Sequence, residues 1–176
     1  MKDTGDLSAG LQAGFTPEEQ DALCLALGQV VLQWSSVEVY TSELIQALVP
    51  VSGRLTSILI AGTPLDAQWD SIDALLYAKG AEDLRSQFKE SRGTIDRLKT
   101  KRNAAVHSRW APSNEHRAGP ISIDSRGRKA RASPGFVVHF EGGLSELEQL
   151  RRDIEEATQG LDAILCEIWR RGLHLK

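Results

Sequence analysis

Arg102-Asn103-Ala104-Ala105-Val106-His107 is the stretch of this chain whose residue types and spacing bear most directly on chemistry. A guanidinium is a permanently charged fork that matches phosphate oxygens. A carboxamide offers both a donor and an acceptor. An imidazole ordinarily titrates near pH ~6.5 and can pass a proton close to neutrality. Together these are the parts that metal-free phosphodiester cleavage needs: a clamp for the developing charge, an orienting group and a proton shuttle. RNA supplies its own nucleophile, the 2′-hydroxyl. In-line attack by that hydroxyl leaves a 2′,3′-cyclic phosphate and a free 5′-hydroxyl. Arg102, His107 and Asn103 are therefore the candidate catalytic residues.

These residues need a helix to hold them. Leu84, Phe88, Ser91, Ile95, Leu98, Arg102 and Ala105 recur at alternating spacings of four and three, which predicts one helix ending by Pro112. Arg102 then falls on the apolar stripe, where a guanidinium is costly to bury unless it meets an anion, a cleft or a partner. Asn103 and His107 are an i,i+4 pair and share a face. Arg102 and His107 are ~140° apart around the axis, with Asn103 between them. One phosphate at that edge would reach all three side chains. The reaction asks for a base and an acid, and the segment holds one histidine, so a two-fold homodimer is expected to bring a second copy opposite the first.

Charge follows the same segment. Residues 85–131 hold 13 Lys/Arg against 4 Asp/Glu, while the remainder holds 8 against 20, for a net −3. A basic block between acidic flanks favours a polyanionic partner or pairs with those flanks in the fold. Lys99, Lys101, Arg109 and Trp110 are the candidate RNA contacts, Trp110 by stacking on a base unless, as is more usual for such a residue, it packs in the fold. The Arg126–Arg131 connector is either a further backbone grip or a solvated loop. Glu38 is a candidate support for Arg102.

The rest of the chain reads as helices. Thr16-Pro17-Glu18-Glu19 is a capped start, and Leu23, Leu27, Val30, Trp34, Val37, Thr41, Leu44 and Leu48 make one stripe ending before Pro50. Leu55–Ala61 is a brief second helix. Thr63-Pro64 repeats the start signal for a third, with Leu65, Trp69, Ile72 and Leu76 as its stripe and Gly80 as its stop. Ser145-x-x-Glu148 reads as a capping box opening a last helix that Gly172 ends. In residues 113–143, Pro120–Asp124 and Phe136–Phe140 either pair as two short strands around a basic connector or belong to a disordered stretch. The expectation is an all-α up-down bundle of four to five helices with a β-prone hairpin insertion before the last. Residues 1–15 form a tail, and 16–176 a single domain with 113–143 inserted.

At 176 residues and 41% apolar composition, one domain with a real core is expected. No run is expected to approach the length of a membrane span, and the N-terminus lacks a signal-peptide layout, so a cytoplasmic protein without membrane contact is expected. Cys24 and Cys166 read as small hydrophobes inside helices. His116, His139 and His174 have no metal-ligand spacing, and neither a metal nor a cofactor is implied.

Lys101 to Trp110 resembles the RxxxxH signature of HEPN domains, with Asn103 in the polar slot that follows the arginine. The long first helix containing Gln33-Trp34-Ser35-Ser36-Val37-Glu38 resembles bacterial members of that superfamily. The resemblance implies a dimerising helical bundle and a metal-independent endoribonuclease of the kind found in toxin–antitoxin and phage-defence systems. An antitoxin or defence-system protein would then be a partner. HEPN toxins paired with a nucleotidyltransferase often read RxxxxHxY, but here Arg109 stands in the tyrosine slot. Two other readings stay open: a non-catalytic dimerisation or adaptor bundle whose hexad lines a protein interface, and a nucleotide-binding subunit.

Overall fold

Thr16 and Glu19 close a reciprocal cap at the start of the first helix. The Thr16 N–H donates to Glu19 Oε2 at 2.9 Å, and the Glu19 N–H donates to Thr16 Oγ1 at 3.2 Å. These bonds satisfy donors that the first turn leaves without helical partners. From there α1 runs unbroken over Pro17–Leu48. The structure, a computed structural model, describes residues 15–111, 121–124, 137–140 and 143–175. Four further helices follow: α2 Gly53–Ile60, α3 Leu65–Ala78, α4 Glu82–His107 and α5 Leu144–Arg170, with a 3₁₀ turn at Leu173–Leu175. The fold is an all-α helical bundle. Three short strands, β1 Arg109–Ala111, β2 Ile121–Asp124 and β3 Val137–Phe140, form an antiparallel sheet in that order. The β2–β3 pair is the expected hairpin, with an irregularity in register between Ser122 and Ile123. β1, which pairs Arg109 with Ile123 and Ala111 with Ile121, adds a strand that the sequence did not suggest.

The chain divides into two compact units. The first takes α1 up to Val31 and the stretch Lys99–Arg152. Its buried apolar side chains include Leu23, Val30, Ala105, Leu147 and Leu150. The second takes Leu32–Leu98 and the chain from Asp153 onward. Its core is built on Trp34, Leu44, Leu48, Trp69, Ile72, Phe88, Leu161 and Ile164. Burying an indole needs a partner for its N–H. Trp69 Nε1 donates to Thr41 Oγ1 at 3.1 Å, and Thr41 Oγ1 donates onward to the Val37 carbonyl at 2.7 Å. Around this core Arg85 forks onto Asp73 at 2.8 and 3.0 Å, Arg92 meets Asp70 at 2.7 Å, and Lys79 Nζ donates to the Leu173 carbonyl at 2.7 Å. Gly80 and Gly172 follow the ends of α3 and α5 with φ of 66° and 65°, the left-handed region that costs glycine least.

Three expectations need correction. Thr63 does not cap α3. The cap position is Pro64, with no side-chain cap bond, and Thr63 instead offers its carbonyl to Gln68 Nε2 at 2.8 Å. The residue three beyond Thr63 is Asp66, one methylene shorter than the glutamate a capping box uses. Likewise Ser145 lies inside the first turn of α5 rather than before it, and the Glu148 carboxylate accepts from Arg151 and Arg152. Finally, α1 is long and apolar enough to cross a membrane by length and composition. No charged residue stands between Asp21 and Glu38, because the helix is apolar on more than the one stripe read from its sequence. The tail residues 1–14, the connector at 126–131 and His116 lie outside the described residues.

Candidate functional site

α4 ends on His107, and the hexad forms its last turns within the first unit. The helix persists because its stripe is buried on both sides of Arg102: Ile95 and Leu98 before it, Ala105 after it. Arg102 is the charged member of that stripe and is half-buried. Its Nη1 donates to Asn103 Oδ1 at 3.1 Å. The carboxamide thus fixes the guanidinium's orientation through its oxygen. The nitrogen end of Asn103 is then the group it can offer to an oxyanion. Asn103 is half-buried and His107 is exposed, one turn further along the same face at a rise of ~6 Å. The three side chains therefore run from a half-buried guanidinium to an exposed imidazole along one helix edge. A partly dry setting strengthens a charge-assisted bond to phosphate, while an exposed imidazole is open to an incoming substrate.

The indole of Trp110 is tied to the end of this helix. Its Nε1 donates to the Ala105 carbonyl at 2.9 Å, and the ring is half-buried. The last carbonyls of a helix lack intrahelical donors, so the bond closes the helix just after the hexad. The Ser108 N–H continues the ladder to the Ala104 carbonyl at 3.0 Å. Arg109 begins β1 and sets the register against Ile123. Lys101 is exposed and Lys99 is half-buried. Arg102, Asn103, His107, Lys99, Lys101, Arg109 and Trp110 are thus brought together in one unit, within the end of α4 and the strand that follows it.

Glu38 belongs to the second unit. It is exposed on α1, in a shallow groove with Ser35, Val39, Ser42, Glu43 and Gln46. Cys24 and Cys166 are both exposed free thiols, not buried hydrophobes. Cys166 faces solvent because the buried positions of its helix are Ile164 and Ile168. Among the described residues no group of three or more His, Cys, Asp or Glu is arranged to hold a metal ion. The bond between Arg102 and Asn103 is the feature of the site that spacing rules did not reveal. Adjacent helical residues do not ordinarily face each other, and a long guanidinium has to fold back to meet its neighbour.

No family model matches the chain, and no curated protein or solved structure matches it.

Proposed function

We propose that this chain is a metal-independent endoribonuclease of HEPN type, acting as a toxin or phage-defence effector. The observation that carries the reading is a half-buried Arg102 held by Asn103 on a helix edge where His107 stands exposed one turn away. In this reading Arg102 clamps the scissile phosphate and stabilises its developing charge. Asn103 holds the guanidinium with its oxygen and presents its amide nitrogen to the same phosphate. His107 moves the proton, as base toward the 2′-hydroxyl or as acid toward the leaving 5′-oxygen. A second copy of the chain supplies the other imidazole. Lys99, Lys101 and Arg109 contribute cations to the RNA backbone. The resemblance of the RNxxxH stretch to HEPN domains supports the same assignment.

The test is cleavage of single-stranded RNA in EDTA, with the products analysed for 2′,3′-cyclic phosphate and 5′-hydroxyl ends. His107→Ala is expected to lower the rate by about 10²–10⁴-fold, the usual worth of a positioned acid–base group. Its melting temperature should hold, because the side chain is exposed. Arg102→Lys, which keeps the charge and loses the fork, should lower it at least ~10-fold. Cleavage that His107→Ala leaves untouched would sink the proposal.

A second reading is favoured by one fact: each hexad holds a single imidazole, where cleavage uses an acid and a base. On that reading the bundle is non-catalytic and binds a nucleotide or a partner protein through the Arg102 edge. ATP would then raise the melting temperature of the wild type but not of Arg102→Ala, and RNA would stay intact.

A further inference from the structure

The outer face of α1 carries a second seam that the described residues leave exposed. Leu25, Leu32 and Val39 are 64%, 71% and 53% exposed, on a helix whose other stripe is buried. They are seven residues apart. Gly28 and Ser35 fall between them and Ser42 follows Val39, completing a strict three–four repeat. A 3.5-residue repeat on a helix face is the pattern of a knobs-into-holes seam. From Leu25 to Ser42 it is about 26 Å long on one unbroken helix. Gly28 adds an independent sign. Among the described residues nothing lies within 4 Å of where its Cβ would stand, so no contact there requires glycine. A glycine inside a helix is destabilising relative to alanine. A bare position opposite a large residue of another helix accounts for it.

We infer that a second copy of this chain packs its α1 antiparallel along the Leu25–Leu32–Val39 face, making an isologous dimer seam. The pattern itself selects this occupant and this direction. About a two-fold axis at the level of Gln33 and Trp34, Leu25 of one copy meets Ser42 of the other, Leu32 meets Ser35, and Val39 meets Gly28. Every large side chain faces a small one, and the surface complements itself as a two-fold contact requires. A parallel pair would stack large on large and small on small. Charge selects the same arrangement. α1 contains no Lys or Arg. In a parallel pair Glu38 of each copy would flank Glu43 of the other, a repulsion on both sides of the seam. In the antiparallel pair Glu38 falls beside Val31 and Glu43 beside Ala22. A lipid surface fits less well, since the seam is narrow, flanked by those two glutamates and without a cation for headgroups. The seam rests on α1 alone and stands or falls without RNA cleavage.

Sedimentation velocity of the full chain at high micromolar concentration is expected to show a dimer. Leu32→Glu should make it monomeric. Gly28→Leu should do the same while adding helix propensity, so lost assembly with undiminished helical circular dichroism separates a blocked seam from an unfolded chain. For direction, the background is Cys24→Ser with Cys166→Ser. A mixture of Leu25→Cys chains and Ser42→Cys chains should oxidise to a mixed disulfide dimer, and neither should link to itself. A monomeric wild type, a dimer indifferent to both seam variants, or Leu25→Cys chains that link to themselves would each overturn the inference. So would a monomer that floats with phosphatidylcholine vesicles through Leu32.

Discussion

Trp110 and Arg102 show how much a single residue's role depends on what its polar atoms meet. From the sequence Arg102 reads as a phosphate clamp, and Trp110 as either a base-stacking ring or a packing residue. The indole N–H of Trp110 is committed to the Ala105 carbonyl, which makes it a closure for α4. Trp110→Phe is therefore expected to cost about 1 kcal/mol, the net worth of one ordinary hydrogen bond, read as a lower urea midpoint, with RNA cleavage unchanged. A loss of RNA affinity at unchanged stability would instead put the ring on the nucleic acid. Arg102 was legible as an anomaly, a cation on an apolar stripe, because helical periodicity alone puts it there. Its partner was not, since Asn103 is its immediate neighbour and no i,i+3 or i,i+4 rule pairs them.

The elements were legible where stripe and punctuation agreed, and less so where a local signal had to choose among partners. Thr16-Pro17 and Thr63-Pro64 are the same dipeptide before the same kind of helix. Only the first caps through its side chain: Glu19 reaches back to the Thr16 N–H, whereas the cap position of α3 is Pro64, which has no side-chain cap bond. Thr16→Ala is expected to lower stability by about 1 kcal/mol, and Thr63→Ala by less than about 0.5 kcal/mol. Equal losses in chemical denaturation would refute the distinction. β1 escaped notice for a different reason. Three residues are too few to show an alternating period, and a strand that short exists because β2 offers it an edge.

Across the whole molecule, depressed carboxylates predict where acid will weaken the fold. Hydrogen bonds from Arg170 and Arg171 hold Glu167 at about 2, against an ordinary 4.5. Arg85 lowers Asp73, Arg171 lowers Asp83, and Arg151 lowers Glu148. A carboxylate with a lower pKa folded than unfolded contributes stability that is complete above its unfolded value and is lost as pH falls through its folded one. The unfolding free energy should thus be level, as far as these groups go, above about pH 4.5 and decline from there toward pH 2. The decline should be modest, because these pairs remain partly open to solvent, and it should shrink further in salt. A chain equally stable at pH 2 and pH 5 would show that the pairs survive unfolding or contribute nothing.

Periodicity and punctuation alone determined the helices of this chain, the burial stripe of α1, the hairpin in the insertion and the placing of Arg102, Asn103 and His107 along one helix edge. These are consequences of 3.6 residues per turn and of what proline and glycine forbid or allow. Tertiary structure decided which stripes are covered. Leu25, Leu32 and Val39 repeat as regularly as Leu23, Val30 and Val37, yet the first set faces solvent and the second is buried. A repeat records that a face is apolar, and only the arrangement of the other elements determines whether anything lies against it.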